Sequence, residues 1–400
     1  MPDRIYLDNS ATSFPKPPEV TEAMVRFARE CGASAGRGAY AEAKACEQMI
    51  LTCRRRVAEL IHAEGPERIV FTMNCTEALA IGIRGLLNTA ENAHAITTVM
   101  DHNSVLRPFH ALAEQTHLET TFIPVDAGSS LIDPDDVRKA VRANTKLIVI
   151  VHCSNVTGGL QPVAEVAAIA RQAGLPILID AAQSVGHVPI DVQAWGADMV
   201  AFSGHKGPMG PLGTGVLYLR PGFEKKLPTM KEGGTGTVSE QLVQPPTMPD
   251  KYEVGSHNAI GIAGLSEGVA WLLKRGVEDL RRHDRRLCQA FLAGTADAEG
   301  LTVYGPGNLD DRGGVFSVNV AGLKPDALAA ELERRFGVLT RPGLHCAPLA
   351  HKAIGTFPAG TCRLSFGAFT TLDEVAAATN ALREIASGAT RRPAPGPAGS

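Results

Sequence analysis

Asp198-Met199-Val200-Ala201-Phe202-Ser203-Gly204-His205-Lys206 is an apolar run that passes directly into a small-residue loop carrying a lysine. The run has the length and side chains of a buried strand, and Ser203-Gly204 ends it. A lysine at such a strand end, flanked by small residues, leaves room for a bulky planar ligand. Partial desolvation there lowers the amine pKa and makes available the neutral nucleophile that attacks a carbonyl. The fragment alone is equally compatible with a surface lysine on a loop, so its meaning rests on its surroundings.

Just upstream, Ile177-Leu178-Ile179-Asp180-Ala181-Ala182-Gln183-Ser184 repeats the pattern, this time ending in a carboxylate. Further outward the alternation continues over 68–220. Candidate strands lie at 68–72, 95–99, 119–123, 146–151, 176–179, 199–202 and 215–219, with helical patterns at 76–87, 104–115, 135–141 and 163–172. Such alternation predicts an α/β fold, a mostly parallel seven-stranded sheet flanked by helices. Ligands of these sheets lie at the carboxyl ends of the strands. From 259 the character changes. Helices at 260–274, 277–298, 326–336 and 372–387 and a strand at 315–320 predict a smaller C-terminal α+β domain. The expected division is a large domain over 15–258, a small one from 1–14 and 259–390, and a disordered Pro/Gly/Ala-rich tail over 391–400. Residues 233–251, rich in Gly and Pro, are expected to form a long irregular loop.

Composition narrows the function classes. The chain has 400 residues, 44% hydrophobic and 20% charged, with a formal net charge of -3. That suits a globular protein with an ample core and gives no overall attraction to nucleic acid or anionic lipid. No apolar run reaches the roughly 18–20 residues that span a bilayer. The opening Met1-Pro2-Asp3-Arg4-Ile5-Tyr6 lacks the basic and apolar regions of a secretory signal, so a cytoplasmic location is expected. The eight cysteines include no C-x-x-C pair, which argues against a zinc site or a disulfide framework. No metal site is expected.

Several strand ends carry chemistry. Thr72-Met73-Asn74-Cys75-Thr76-Glu77 joins a strand to a helix and offers backbone N–H groups and a hydroxyl to a phosphate, although Thr76 also reads as an ordinary helix cap. Ser203 and His205 offer further donors. Asp180 suits the nitrogen of a protonated pyridine ring, and it equally suits a metal or a helix cap. His102 follows the 95–99 strand and is placed to stack on a ring, or is simply a loop histidine. Asn155 and Gln183 follow two other strands and suit a phenolic oxygen. A carbonyl-seeking lysine, a carboxylate for a ring nitrogen and a phosphate cradle on one sheet edge together specify pyridoxal 5′-phosphate (PLP). Further on, Arg341-Pro342-Gly343-Leu344-His345-Cys346-Ala347 places a thiol beside His345 and near Arg341, a setting that favours a thiolate. Arg363 offers a fork for an α-carboxylate. A buried inert cysteine is the competing reading for Cys346, and Cys75 and Cys153 are rival thiols whose positions suit packing.

With these residues assembled, the chain resembles the class V aminotransferase family of PLP fold type I, and within it the group II cysteine desulfurase and selenocysteine lyase branch. The resemblance runs through Tyr6–Thr12, Asp101-His102, His152–Gly158, Ile179–Gly186, Ser203–Lys206, Gly255–Leu265, Arg341–Ala347 and Gly360–Ser365. It implies Lys206 as the Schiff-base lysine and proton shuttle, Asp180 at the pyridine nitrogen, His102 on the ring face, and Asn155 and Gln183 at the phenolic oxygen. It further implies Cys75, Thr76, Ser203 and His205 at the phosphate. Ala11, Asn155, Arg341 and Arg363 would line the substrate, and Cys346 would attack the sulfur of L-cysteine to give L-alanine and a persulfide. A homodimer is implied as well, in which the partner reaches the phosphate through Gly233–Thr237 and Gly255-Ser256-His257-Asn258. Ser256 stands there in place of the usual Thr. A sulfur-acceptor protein is the implied partner. The thiol motif keeps only the second of the usual paired histidines, and Pro342, unusual between Arg341 and Gly343, stiffens the entry to the loop. Selenocysteine lyase, aminotransferase or another PLP lyase are the other enzyme readings, and a sulfur-transfer docking protein is the non-enzyme one.

Overall fold

The strands that line up in the middle of the molecule are the ones with unbroken apolar sequence. The computed structural model describes residues 4–36 and 38–390; the expected tail at 391–400 lies outside them. The chain opens with β1 (Ile5–Tyr6), α1 (Pro18–Arg26) and α2 (Ala41–Leu60). A βαβ series follows: β2 (Ile69–Thr72), α3 (Cys75–Leu87), β3 (His94–Thr98), α4 (Asn103–Thr116), β4 (Glu119–Ile123), α5 (Pro134–Ala140), β5 (Thr145–Val151), α6 (Val163–Gln172), β6 (Ile177–Asp180), α7 (Val192–Trp195), β7 (Met199–Ser203) and β8 (Gly215–Leu219). These form a seven-stranded sheet in the order β2-β8-β7-β6-β5-β3-β4. All pairs are parallel except those of β8, which runs against β2 and β7. The reason is local. No helix lies between β7 and β8, and without a crossover element a chain can only return antiparallel.

Side chains on each strand alternate between two cores. Ile148 and Ile150 of β5, Ile177 and Ile179 of β6, and Val200 and Phe202 of β7 pack on one face with α2 and α6. Leu147 and Val149, Leu178, and Met199 and Ala201 pack on the other with α3 and α4. Both faces are therefore covered, as continuous apolar runs require. Gly82 lets α3 sit close to the sheet, since a Cβ there would meet Leu178 at 2.9 Å and Met199 at 3.1 Å.

No helix or strand longer than a single 3-10 turn lies between β8 and residue 259, in line with the irregular loop expected at 233–251. Next come α8 (Ala259–Arg275) and α9 (Val277–Thr295). Ile262, Leu265, Val269 and Leu272 of α8 join the core on the α2 side of the large sheet. The C-terminal part holds β9 (Leu301–Tyr304), β10 (Val315–Val320), α10 (Pro325–Phe336), β11 (Val338–Leu339), β12 (Arg341–Gly343), α11 (Pro348–Ala353), β13 (Thr361–Ser365) and α12 (Leu372–Thr390). Its four-stranded sheet runs β12-β13-β10-β9, while β1 pairs in parallel with β11. The N-terminal strand is thus tied to the C-terminal part.

Candidate active site

The order of the large sheet places its switch point between β3 and β5, where successive connections leave in opposite directions. A cleft of about 580 Å³ opens among the loops after the strands. It is lined by Cys75, Thr76, His102, Asn155, Asp180, Gln183, Ser203, His205 and Lys206, joined by Asn74, Ser104 and Cys153. Nine of the expected site residues therefore meet in one cavity, supplied by the ends of β2, β3, β5, β6 and β7.

Burial sets the charges in this cleft. It lowers the pKa of Lys206, an effect that Cys75 and Asp180 partly offset. Among the described residues the Lys206 amine has no hydrogen-bond partner. Asp180 is 3% exposed, and burial raises its pKa although the Ala182 N–H (2.9 Å to Oδ1) and Lys206 pull the other way. It caps no helix, because the chain after it forms turns. The Cys75 thiol donates to Asp180 Oδ1 at 3.6 Å and is itself pushed well up by burial. That thiol stays protonated and is no rival nucleophile. Burial likewise pushes Cys153 up to about 12.

The phosphate cradle differs from expectation in one detail. The cap of α3 is Asn74, whose side chain accepts from Glu77 N–H at 2.9 Å. Thr76 is freed from capping, and its hydroxyl lies 2.8 Å from that of Ser104. The main-chain N–H groups of Cys75 and Thr76 have no acceptor among the described residues, as at any helix start that awaits an anion. Cys75 can therefore serve a phosphate through its backbone, since its side chain faces Asp180.

His102 caps α4, its Nδ1 accepting from Ser104 N–H at 3.1 Å with the Ser104 hydroxyl at 2.9 Å. A ring nitrogen that accepts from an amide carries no proton, so the proton sits on Nε2. Burial and the nearby Lys206 and Arg341 charges bring His102 down to about 4, and the ring is neutral. Ser104 escaped the sequence reading; its signal was a hydroxyl in the first turn of the helix after Asp101-His102.

The remaining expected residues lie beside the cleft. Arg341 and Arg363 are cross-strand partners on β12 and β13. Arg363 is 1% exposed; it donates to Asp8 Oδ1 at 2.7 Å and to the Asn155 carbonyl at 3.2 Å, while its Nε has no partner among the described residues. Asp8, quoted only as part of a motif, is thus the ion partner of the expected carboxylate-binding arginine. Gln183 donates to the Ser10 carbonyl at 3.0 Å, next to Ala11. Ser256 lines a different cleft, with Met73, Glu77, Lys231 and Asn258, and does not join the Lys206 cavity of its own chain.

Cys346 is exposed. Its loop is bound to the cleft from two sides: Asn155 Nδ2 donates to the His345 carbonyl at 2.7 Å, and Asn103 N–H to the Cys346 carbonyl at 2.8 Å. His345 (φ +49°) and Cys346 (φ +58°) are consecutive left-handed residues, a conformation costing about 1–3 kcal/mol each without glycine. The expectation that His345 favours a thiolate needs correcting. Burial holds His345 down at about 3, so it is neutral, and both ring nitrogens are occupied by His351 (3.3 Å) and the Arg341 carbonyl (2.9 Å).

A buried lysine and carboxylate at the carboxyl ends of neighbouring strands of an α/β sheet, in one cleft with a helix start whose first N–H groups have no acceptor among the described residues, define a fold type I cofactor enzyme, and the comparisons agree. The aminotransferase class-V family model matches residues 5–377; the chain belongs to that family. Among curated proteins it is similar to a probable cysteine desulfurase of Methanothermobacter thermautotrophicus, 34% identical over 96% of this chain and 95% of that one. It is similar also to a probable cysteine desulfurase of Pyrococcus abyssi, 36% identical over 95% of this chain and 94% of that one. Among solved structures, the apo cysteine desulfurase of Thermococcus onnurineus superposes with a TM-score of 0.90 at 34% identity, covering 96% and 95% of the two chains. Among the described residues no helix is long and apolar enough to cross a membrane.

Proposed function

We propose that the chain is a PLP-dependent cysteine desulfurase that takes sulfur from L-cysteine onto Cys346 and leaves L-alanine. The observation that carries this reading is Asn155, which lines the Lys206 cavity and at the same time holds the Cys346 loop through the His345 carbonyl. The cofactor fits the unused groups. Asn155 Oδ1 and His205 Nδ1 are buried without partners among the described residues, and the free N–H groups of Cys75 and Thr76 suit a phosphate. Thr76, Ser203 and His205 would hold that phosphate, Asp180 the ring nitrogen, His102 the ring face, and Asn155 and Gln183 the phenolic oxygen.

When bound, PLP supplies an aldehyde for the amine and a ring that withdraws electrons from the substrate carbon. Lys206, whose pKa desolvation lowers, would attach the cofactor and move the proton at the substrate Cα. Asp180 would face the ring nitrogen, where a buried carboxylate favours a protonated ring. Arg363, with Arg341 across the strand pair, binds the α-carboxylate, and Ala11 closes the same side. Cys346 Sγ then bonds to the substrate sulfur as the carbon–sulfur bond breaks, and the carbon takes up a proton as alanine.

Three further readings belong to the proposal. Cys346 hands its sulfur to an acceptor protein. Two chains pair, so that the partner's Ser256 completes the phosphate site. The protein works in the cytoplasm as two domains, 15–258 and 1–14 with 259–390. Reconstitution with PLP tests the core of it: borohydride should fix the cofactor on Lys206, located by peptide mass spectrometry, and Lys206→Ala should retain none. Labelling elsewhere, or no uptake by the wild type, sinks the reading.

A further inference from the structure

Beneath the Cys346 loop lies a chain of buried side chains that the chemistry above does not use. His345 Nε2 is 2.9 Å from the Arg341 carbonyl, His345 Nδ1 is 3.3 Å from His351 Nε2, and His351 Nδ1 is 2.7 Å from Thr356 Oγ1. His345 is 4% exposed, His351 0% and Thr356 7%. The order of protons along this chain is forced. A carbonyl only accepts, so His345 carries its proton on Nε2 and presents a lone pair at Nδ1. His351 then donates from Nε2, which leaves its Nδ1 to accept the Thr356 hydroxyl at 2.7 Å, a closer acceptor for it than the His351 carbonyl at 3.4 Å. Burial keeps both rings neutral, His345 at about 3 and His351 at about 4, so the direction holds at any ordinary working pH.

The relay sits where the backbone needs support. His345 and Cys346 both hold positive φ without being glycine, and such a pair persists only where its surroundings over-determine it. The hydrogen bonds to the His345 and Cys346 carbonyls fix the loop from above. From below, the His345 ring is gripped at both nitrogens, and α11 carries the second histidine under the loop. Released from that grip, the pair would relax toward ordinary backbone regions and swing the thiol away.

We propose that His351 is a positioning residue for the nucleophile: through His345 it holds the left-handed Cys346 turn and so aims the thiol at the sulfur being removed. The aim at sulfur rests on the desulfurase reading; the hold on the turn does not. The test compares His351→Leu, which breaks the relay, with His351→Gln, whose terminal amide can donate to His345 and accept from Thr356. Two quantities are read: the alkylation rate of Cys346 by iodoacetamide in the chain alone, followed on its own peptide, and kcat and KM for alanine formation from L-cysteine by the PLP-loaded protein. His351→Leu should shift the alkylation rate and lower kcat about ten- to a hundred-fold with KM nearly unchanged, and His351→Gln should restore both. If the leucine variant does not fold, Thr356→Val decides in its place, with a smaller change in the same direction expected. A folded His351→Leu or Thr356→Val with unaltered alkylation overturns the proposal, as does a glutamine variant as impaired as the leucine one. Should the wild type form no alanine, the desulfurase reading fails while the alkylation series still judges the relay.

Discussion

Desolvation biases the individual residues of the cleft toward their neutral forms before any ligand arrives. Lys206 and His102 are pushed toward neutrality and the Cys75 thiol is held protonated, while Cys346 stands at the surface. Asp101 shows the same force at work. Its Oδ2 accepts from Thr98 N–H (3.0 Å) and the Thr98 hydroxyl (2.6 Å), Oδ1 has no partner among the described residues, and burial raises its pKa to about 7. A carboxyl raised in the folded state stabilises fully below its unfolded pKa and loses that contribution as pH rises through the folded one. Asp101→Asn should therefore gain on the wild type between about pH 4 and pH 7. Melting temperatures of the cofactor-free proteins at pH 5 and pH 8 check this, and an equal gap at both contradicts it. Lys206, Asp180, Thr76 and His102 were legible in the sequence because each lies at a strand's end or within four residues of it. Ser104, Asp8 and His351 were not, because their roles come from partners brought to them by folding; Asp8 meets Arg363 from the other end of the chain.

At the scale of elements, the sheet was legible because its strands are apolar on both faces, and boundaries shifted by only a residue or so, as with 95–99 against His94–Thr98. The reversed direction of β8 is not written in periodicity; its sign is the missing helix after Ser203. The short strands β9, β11, β12 and β13 went unread, although the last carries Arg363, because runs of two to five residues in a mixed α+β region give too little alternation to detect. Two element junctions invite tests. Asn74→Ala removes the α3 cap and should cost about 1 kcal/mol of stability, with a further loss of PLP affinity because the same turn presents the phosphate cradle. Denaturant unfolding and a PLP titration would measure the two; unchanged affinity would detach the cap from the cradle. Gly158, after β5, has φ +74°, and a Cβ there would meet the Val315 carbonyl oxygen at 2.5 Å. Gly158→Ala should destabilise by about 3 kcal/mol, and a loss well under 1 kcal/mol would show that β10 does not pack as described.

At the scale of the whole molecule, a histidine–carboxylate contact joins the large sheet to the C-terminal part. His187, in the turns after β6, lies 2.8 Å from Asp284 of α9, which is 1% exposed. Burial lowers the His187 pKa, but Asp284 outweighs it and the net direction is up. A histidine raised in this way stabilises fully below its unfolded pKa, and that contribution fades as pH rises through the folded one. The melting-temperature deficit of Asp284→Asn should therefore be larger at pH 6 than at pH 9; a deficit independent of pH would contradict the ion pair. The two parts matter jointly because the groups proposed to hold the cofactor sit on the large sheet while Arg341, Cys346 and Arg363 come from the C-terminal part. The most direct measurement of the central claim is the alanine formed from L-cysteine by the PLP-loaded protein with reductant present, for wild type and Cys346→Ser. The account predicts alanine and sulfide in equal amounts from the wild type and a near-complete loss of both in the serine variant. Equal alanine formation by the two proteins, or none by a wild type that holds PLP on Lys206, would contradict it.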